Sequence, residues 1–309
     1  MDGVELSSKA TLQSGGTVGG SGPFTQYVPG VVQLPEETPS VADLLPSGVA
    51  TAPQIQFFSE RVATNNAAGV QETAGKPESV LDFHADSQSL AKIATYLPVS
   101  DEMLEDAPMI QNYINQRLAM FVRTEEEQQI LTGAGAASYE VEGFIGNYSL
   151  NGVGTASVTG TSGTAVFPDF LTIMNNQRGS SYLNPTALIM HPRGFGSILA
   201  FTDGNDQYYG GGPLSPGAYG GGRTLDSSRL TAGWSLWNVP IHVTSNINSG
   251  TMLLGNFSQG AQLWRKGGIN VSASNSHSDF FKRNQTAIRA EERLALTIYR
   301  PQAFTVVRW

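Results

Sequence analysis

The chain has 309 residues, 40% of them hydrophobic, enough for one large domain or two smaller ones with a real core. It has no cysteine, which excludes disulfides, and no stretch approaches the ~18 apolar residues of a membrane span. The net charge of −8 is uneven: residues 1–150 carry 19 acids and 6 bases, and residues 151–309 carry 7 acids and 12 bases. This asymmetry reads either as two differently solvated surfaces or as one copy's acidic half facing another copy's basic half. No basic stripe with interleaved aromatics is present, so the chain does not read as a nucleic-acid binder. The start, Met1-Asp2-Gly3-Val4-Glu5, has no basic segment followed by an apolar run, which argues against a signal peptide and for assembly inside a cell.

Residues 1–40 do not read as a folded unit. Gly15-Gly16, Gly19-Gly20-Ser21-Gly22-Pro23 and Val28-Pro29-Gly30 break any period. A disordered tail is one reading. The apolar run Val31-Val32-Gln33-Leu34-Pro35 favours an extended arm bound to another element or chain. A short apolar cluster, Val41 to Leu45, ends at Pro46. Next comes a long hairpin: Gln54-Ile55-Gln56-Phe57 alternates, residues 64–69 and 73–77 are turn-rich, and Leu81, Phe83 and Ala85 are in phase again. Strands of ~10 residues rise roughly 33 Å, and an isolated two-stranded hairpin is marginal in water. A projecting hairpin is therefore expected to lie on a neighbouring subunit.

The strongest periodicity lies in residues 100–132. Ser100 or Asp101 is suited to cap a helix start, and acids fill the first turn. Leu104, Ala107, Ile110, Ile114, Leu118, Phe121 and Val122 recur near a 3.6-residue period. Asp106-Ala107-Pro108 marks a restart, Glu125-Glu126-Glu127 reads as a solvated face, and Gly133 as a C-terminal cap. A spine helix of roughly 24 residues, near 36 Å, is expected.

Residues 133–168 read as loop and short strands, with a helix starting at Asp169. Ala187-Leu188-Ile189-Met190 is a buried strand, and a helix through Phe195, Ile198 and Leu199 follows His191-Pro192-Arg193. Gly210-Gly211-Gly212-Pro213 and Gly220-Gly221-Gly222 flank a mobile loop. Pro240–Val243 and Met252–Gly255 are strands, which suggests an α/β unit over 165–255. Leu263 to Val307 returns to strands beside the spine helix.

Several chemistries find no support. His84, His191, His242 and His277 are not spaced as a zinc set, so no metal and no cofactor is expected. The glycine run at 212–217 lacks a following Gly-Lys-Ser/Thr, and Gly194-Phe195-Gly196-Ser197 is not a nucleophile elbow.

Three other residues do carry chemistry. Lys76, in Gly75-Lys76-Pro77-Glu78-Ser79, supplies an amine, Asn284 a carboxamide, and Glu291 a carboxylate. These are the parts of an isopeptide bond. A desolvated lysine becomes a neutral nucleophile, a carboxylate takes its proton, and ammonia leaves the amide. Docking of subunits would bring the groups together and exclude water. Val70 is suited to an apolar wall. Arg289 shares a strand face with Glu291 and, pointing inward, would keep Glu291 ionised and weaken it as a base. The bland alternatives are an exposed turn lysine, a turn asparagine and a salt-bridged glutamate.

The chain resembles the Hong Kong 97-type major capsid proteins of tailed, double-stranded DNA bacteriophages. The resemblance rests on Val28-Pro29-Gly30, Asp43-Leu44-Leu45, Thr64-Asn65-Asn66, Lys76-Pro77-Glu78-Ser79, Asp106-Ala107-Pro108-Met109 with Tyr113-Ile114-Asn115, Glu291-Glu292-Arg293-Leu294-Ala295-Leu296 and Tyr299-Arg300-Pro301. It implies an α+β fold with an N-terminal arm (1–50), an extended hairpin loop and its base (51–97), a peripheral domain with the spine helix (98–164), an axial domain (165–255) and returning peripheral strands (256–309). It implies that copies form pentamers and hexamers closing an icosahedral shell around DNA held without sequence-specific contact, in a virion assembled in the host bacterial cytoplasm, with no membrane. A portal protein, a scaffolding protein, a maturation protease and a decoration protein are the further partners it implies. Some members crosslink a loop lysine to a neighbouring subunit's asparagine with a glutamate as base, and the matching positions are Lys76, Asn284 and Glu291. No charged helical prefix precedes Gly15-Gly16, so scaffolding is expected as a separate protein or as an already trimmed segment. An encapsulin-like compartment shell shares the fold and is the alternative. A soluble hydrolase is a third reading with no motif behind it.

Overall fold

The computed structural model describes residues 34, 37, 39–106, 108–146, 152–158, 163–203, 205–209, 234–276 and 280–309. The arm over 1–33, the glycine loop at 210–222 and His277 lie outside the described residues.

One 3₁₀ turn, Val41–Leu44, buries Val41 completely. Strand β1 (Ser47–Val49) precedes the hairpin of β2 (Gln54–Thr64) and β3 (Val80–Ser89). The hairpin is antiparallel, from Gln54↔Ser89 at its base to Thr64↔Val80 at its far end. Only Leu90 separates β3 from β4 (Ala91–Ser100). Helix α1 (Asp101–Asp106) and helix α2 (Pro108–Thr132, 25 residues) follow, with the restart where the sequence places it.

Ile114, Leu118 and Val122 are buried at four-residue intervals on α2. Phe121 is not part of that stripe: it is exposed, with the Arg117 guanidinium 5.2 Å above its ring. The helix ends before Gly133, whose N–H donates to the Gln129 carbonyl at 2.9 Å. The positive φ expected of a capping glycine falls instead on Gly135, at 85°. Glycine is needed at 133 for a different reason: a Cβ there would lie 2.2 Å from the Val141 carbonyl oxygen.

Past β5 (Gly154–Ser157), helix α3 spans Gly163–Ser181. It starts six residues before the expected Asp169 and carries Pro168 inside it. Strand β6 (Ala187–Met190) is wholly buried and leads into α4 (Pro192–Leu199), whose N-terminus is capped by His191 Nδ1 accepting from the Arg193 N–H at 3.0 Å. The chain continues through β7 (Ser235–Leu236), β8 (Val239–Val243), β9 (Thr251–Gly255), α5 (Phe257–Gly260), β10 (Ala261–Arg265), β11 (Asn270–Ser274), β12 (Gln285–Ile298) and β13 (Phe304–Arg308).

Two larger sheets result. The first has the order β1-β10-β12-β11, with β4 along β12 as well. The second runs β5-β13-β9-β6-β8-β7. The C-terminal strand β13 thus joins β9, Val306 opposite Leu253, rather than the strands beside α2. One core lies between α2 and the first sheet, and holds Leu118, Val122, Ile288, Leu294 and Leu296. Phe144, Phe257 and Phe304 pack in the same core with ring centroids 4.6–5.7 Å apart. Each buried phenylalanine contributes roughly 1.5–3 kcal/mol. A second core sits under α3 and α4, built on Phe170, Met174, Phe195 and Ile198 against Met190, Ile241, Met252 and Val307.

Candidate functional site: the open face of β12 and the hairpin loop

β12 is the strand on which the site is organised. Its first ten residues pair with β4, from Gln285↔Ser100 to Leu294↔Ala91. Its other edge pairs with β11 and then β10. Side chains alternate along it. Ile288, Ala290, Glu292, Leu294 and Leu296 are buried, while Arg289 and Arg293 are exposed on the opposite, open face.

Glu291 lies on that open face, flanked by Asn270 and Ala94. Its Oε2 is 2.7 Å from Lys92 Nζ and 3.4 Å from Arg289 Nε. The bond from Lys92 is the main cause that holds its pKa below the ordinary carboxylate range; partial desolvation opposes it, and Arg289 adds to it. Glu291 is therefore an ionised, salt-bridged group in the subunit, as its strand neighbour Arg289 suggested. Lys92 was not singled out from sequence. Only the β4–β12 register places it diagonally beside Glu291.

Asn284 sits at the turn into β12 with φ 50° and ψ 54°, the left-handed conformation that asparagine tolerates. Its carbonyl accepts the Asp101 N–H at 2.9 Å, which ties the start of β12 to the start of α1. The Asp101 carboxylate accepts from the Thr286 hydroxyl at 2.5 Å. The Asn284 side chain is exposed.

Lys76 and Val70 lie in the loop at the far end of the hairpin, and both are exposed. The loop is held by its own polar groups: Asn66 Nδ2 donates to the Glu78 carbonyl at 2.6 Å, and the Asn66 N–H to Ser79 Oγ at 3.2 Å. Val70 is 40% exposed in the subunit.

The three groups do not meet within one chain. Seven residues of extended strand separate Asn284 from Glu291, about 23 Å. The cations on Glu291 come from its own sheet, and Lys76 is not among them. The hairpin carrying Lys76 is about 33 Å long. One side of it shows Phe58, Leu81 and Phe83 at 74%, 62% and 63% exposure.

The reading of residues 125–127 as a solvated face is overturned. Glu126 is 4% exposed and Glu127 1% exposed. Glu126 pairs with Arg265, whose Nε also lies 3.2 Å from Glu292 Oε1. Two buried carboxylates thus share one guanidinium. Burial, and then the charge of Glu126, push the Glu292 pKa up to about 7. Its Oε2 has no hydrogen-bond partner among the described residues. Glu127 accepts from the Ser40 and Val41 N–H groups, from the Thr244 hydroxyl and from Asn246 Nδ2. These acids continue a helix face that turns inward, which a run of three glutamates does not reveal. Among the described residues no three His, Asp or Glu side chains converge as a metal site, and no helix is long and apolar enough to cross a membrane.

A long helix packed on one sheet, a second sheet with its own helices and a projecting hairpin define the Hong Kong 97-type capsid fold. The capsid of a native GTA particle superposes with a TM-score of 0.73 at 13% identity, covering 97% of this chain and 99% of that one. The Microbacterium phage Oxtober96 structure gives 0.67 at 14% identity over 92% of this chain and 95% of that one. The major capsid protein of Enterobacteria phage HK97 is 31% identical over 277 residues, 89% of this chain; the chain spans 66% of that protein's length. The phage capsid family profile matches residues 25–308, and the chain belongs to that family.

Proposed function

We propose that this chain is a major capsid subunit that self-assembles as pentamers and hexamers into an icosahedral phage head enclosing double-stranded DNA. The observation that carries this reading is the hairpin. Two strands with Phe58, Leu81 and Phe83 in water are marginal alone and require a neighbour to cover them. In this reading residues 1–50 form an arm, 51–97 the extended loop, 98–164 and 256–309 a peripheral domain, and 165–255 an axial domain. The acidic balance, −8, suits a shell that encloses DNA without gripping it.

We further propose that neighbouring copies crosslink Lys76 to Asn284. The spacing of the groups requires that different copies supply them, up to three at one junction. Glu291 of one copy takes a proton from the Lys76 ammonium of a second. The amine nitrogen attacks the Asn284 carboxamide carbon of a third and sheds a second proton, the C–NH₂ bond breaks, and the departing nitrogen takes up both protons shed by the lysine and leaves as ammonium. Docking excludes water and desolvates the lysine, so the reaction waits for assembly. Denaturing electrophoresis of boiled particles tests this. The expected result is a ladder of oligomers, with a Lys76–Asn284 peptide that has lost one ammonia. A single band at the 32.9 kDa subunit overturns the crosslink.

A further inference from the structure

Of Lys76, Asn284 and Glu291, only Asn284 has a positive φ. At φ 50° and ψ 54° it turns the chain from the 3₁₀ turn Phe281–Arg283 into β12. A residue other than glycine stays in the left-handed region only where its surroundings hold it there. The Arg283 and Gln285 N–H groups, one on each side of Asn284, both donate to the Phe280 carbonyl, at 3.1 and 3.0 Å. These two bonds close the turn upon itself.

The other two bonds come from a separate element. Asp101 opens α1, and the first N–H groups of a helix find no acceptor within it. The Asp101 N–H is thus available, and it donates to the Asn284 carbonyl at 2.9 Å. Gln285 lies opposite Ser100 and Thr286 opposite Val99, so the strand register delivers Asp101 beside Asn284. The Asp101 carboxylate then accepts from the Thr286 hydroxyl at 2.5 Å. Asp101 therefore holds this stretch at two points, residues 284 and 286. One point is a pivot, whereas two fix an orientation. Asp101 and Thr286 are half-buried, while the Asn284 side chain is exposed, so the direction of its carboxamide is set by the backbone beneath it.

We propose that Asp101 and Thr286 are positioning residues for the Asn284 carboxamide, holding residues 284–286 so that it is aimed for attack by the lysine of another copy. The inference rests on the proposed Lys76–Asn284 bond and names the residues that make its acceptor ready. Neither residue touches the reacting atoms. The amine must come within about 3–3.5 Å of the carboxamide carbon in an aligned approach, and a small misplacement slows such a step many-fold. A turn free to rock on one bond offers that geometry in only a fraction of encounters. The hold also has a consequence for assembly. Helix α1 ends at Asp106 and the long helix restarts at Pro108, so Asn284 is anchored to a short helix, and a shift of α1 carries the acceptor with it.

Time courses of the oligomer ladder from assembled particles test the positioning. Thr286→Val removes the hydroxyl and keeps the side-chain shape. It is expected to slow crosslinking about tenfold, with assembly and the urea midpoint of the subunit close to wild type. Thr286→Ser restores the hydroxyl and should return the rate to within about threefold. Asp101→Ala breaks the same bond, so Asp101→Ala/Thr286→Val should be no slower than the slower single variant. Wild-type rates in both single variants overturn the proposal. So does a slowing that Thr286→Ser leaves in place, or one that multiplies in the double variant, because general loosening of the subunit would do either. Circular dichroism of unassembled subunits checks the fold. Should Thr286→Val fail to fold or assemble, Asp101→Ala carries the same expectation, with Asp101→Asn, which keeps an acceptor oxygen, as its rescue. Wild-type particles without a ladder remove the crosslink and the positioning together; a wild-type ladder that the variants leave unchanged removes the positioning alone.

Discussion

Glu127, buried in α2, accepts the backbone N–H of Val41 at 3.1 Å. The same carboxylate holds the Ser40 N–H, Thr244 and Asn246, while Glu37 accepts from the Ser245 N–H and hydroxyl at 2.9 and 2.6 Å. One side chain thus ties residues 40–41 and 244–246 to the long helix.

Glu127→Ala should therefore be costly. It strands two backbone donors and two side-chain donors in a buried site, each worth ~1–3 kcal/mol when unmet. A loss of about 3–5 kcal/mol in subunit stability is expected, measured by urea unfolding. Glu127→Gln keeps an acceptor and should lose roughly half as much.

Glu292 gives a pH dependence of defined sign. Its pKa is raised from 4.5 to about 7 in the folded chain, so the native state binds its proton more tightly than the unfolded state does. The resulting stability is fully present below the unfolded value near 4.5 and is lost as the pH rises through about 7. Glu126, raised chiefly by burial, acts in the same direction. Urea unfolding at pH 5 and pH 8 should show a decrease on the order of 3 kcal/mol in wild type and a smaller one in Glu292→Gln. Glu291, with its pKa depressed, works oppositely: its contribution is present above about 4.5 and is lost on acidification.

Gly133→Ala should destabilise strongly, because the new Cβ would meet the Val141 carbonyl at 2.2 Å and the Gln129 carbonyl at 2.6 Å. Backbone cannot swing aside as a flexible side chain can, so a loss of about 3 kcal/mol or more is expected. Gly69→Ala, with nothing within 4 Å, should leave the melting temperature of the subunit within a degree or two.

Glu291→Gln should fold and assemble but fail to crosslink. Its partners Lys92 and Arg289 are half-exposed, and losing such pairs costs a subunit little, ~0–1 kcal/mol. Time courses on denaturing gels check this. Crosslinking at the wild-type rate would remove Glu291 as the base.

Much of the fold was legible because local chemistry and tertiary packing agree. Pro108 restarts the long helix where sequence places it, and Leu118 and Val122 turn to the core at the expected period. The hairpin reads from alternation alone, although Leu81 and Phe83, in phase, face water in the subunit. Phase marks a face but not what covers it. Lys76, Asn284 and Glu291 stand out in sequence only as an amine, a carboxamide and a carboxylate; the separation of Asn284 from Glu291 follows from the unbroken ladder between β12 and β4. The burial of Glu126 and Glu127 is not legible in sequence, because their partners, Arg265 and Thr244, lie more than a hundred residues away and mark no local pattern. The place of Lys92 beside Glu291 is hidden for the same reason.

Electron cryomicroscopy of assembled particles tests the central claim most directly. Closed shells are expected in which Lys76, Asn284 and Glu291 from different copies meet at one junction, with continuous density between the lysine and the asparagine. Particles in which the 65–79 loop folds back on its own subunit, with the three residues still tens of ångströms apart, would contradict it.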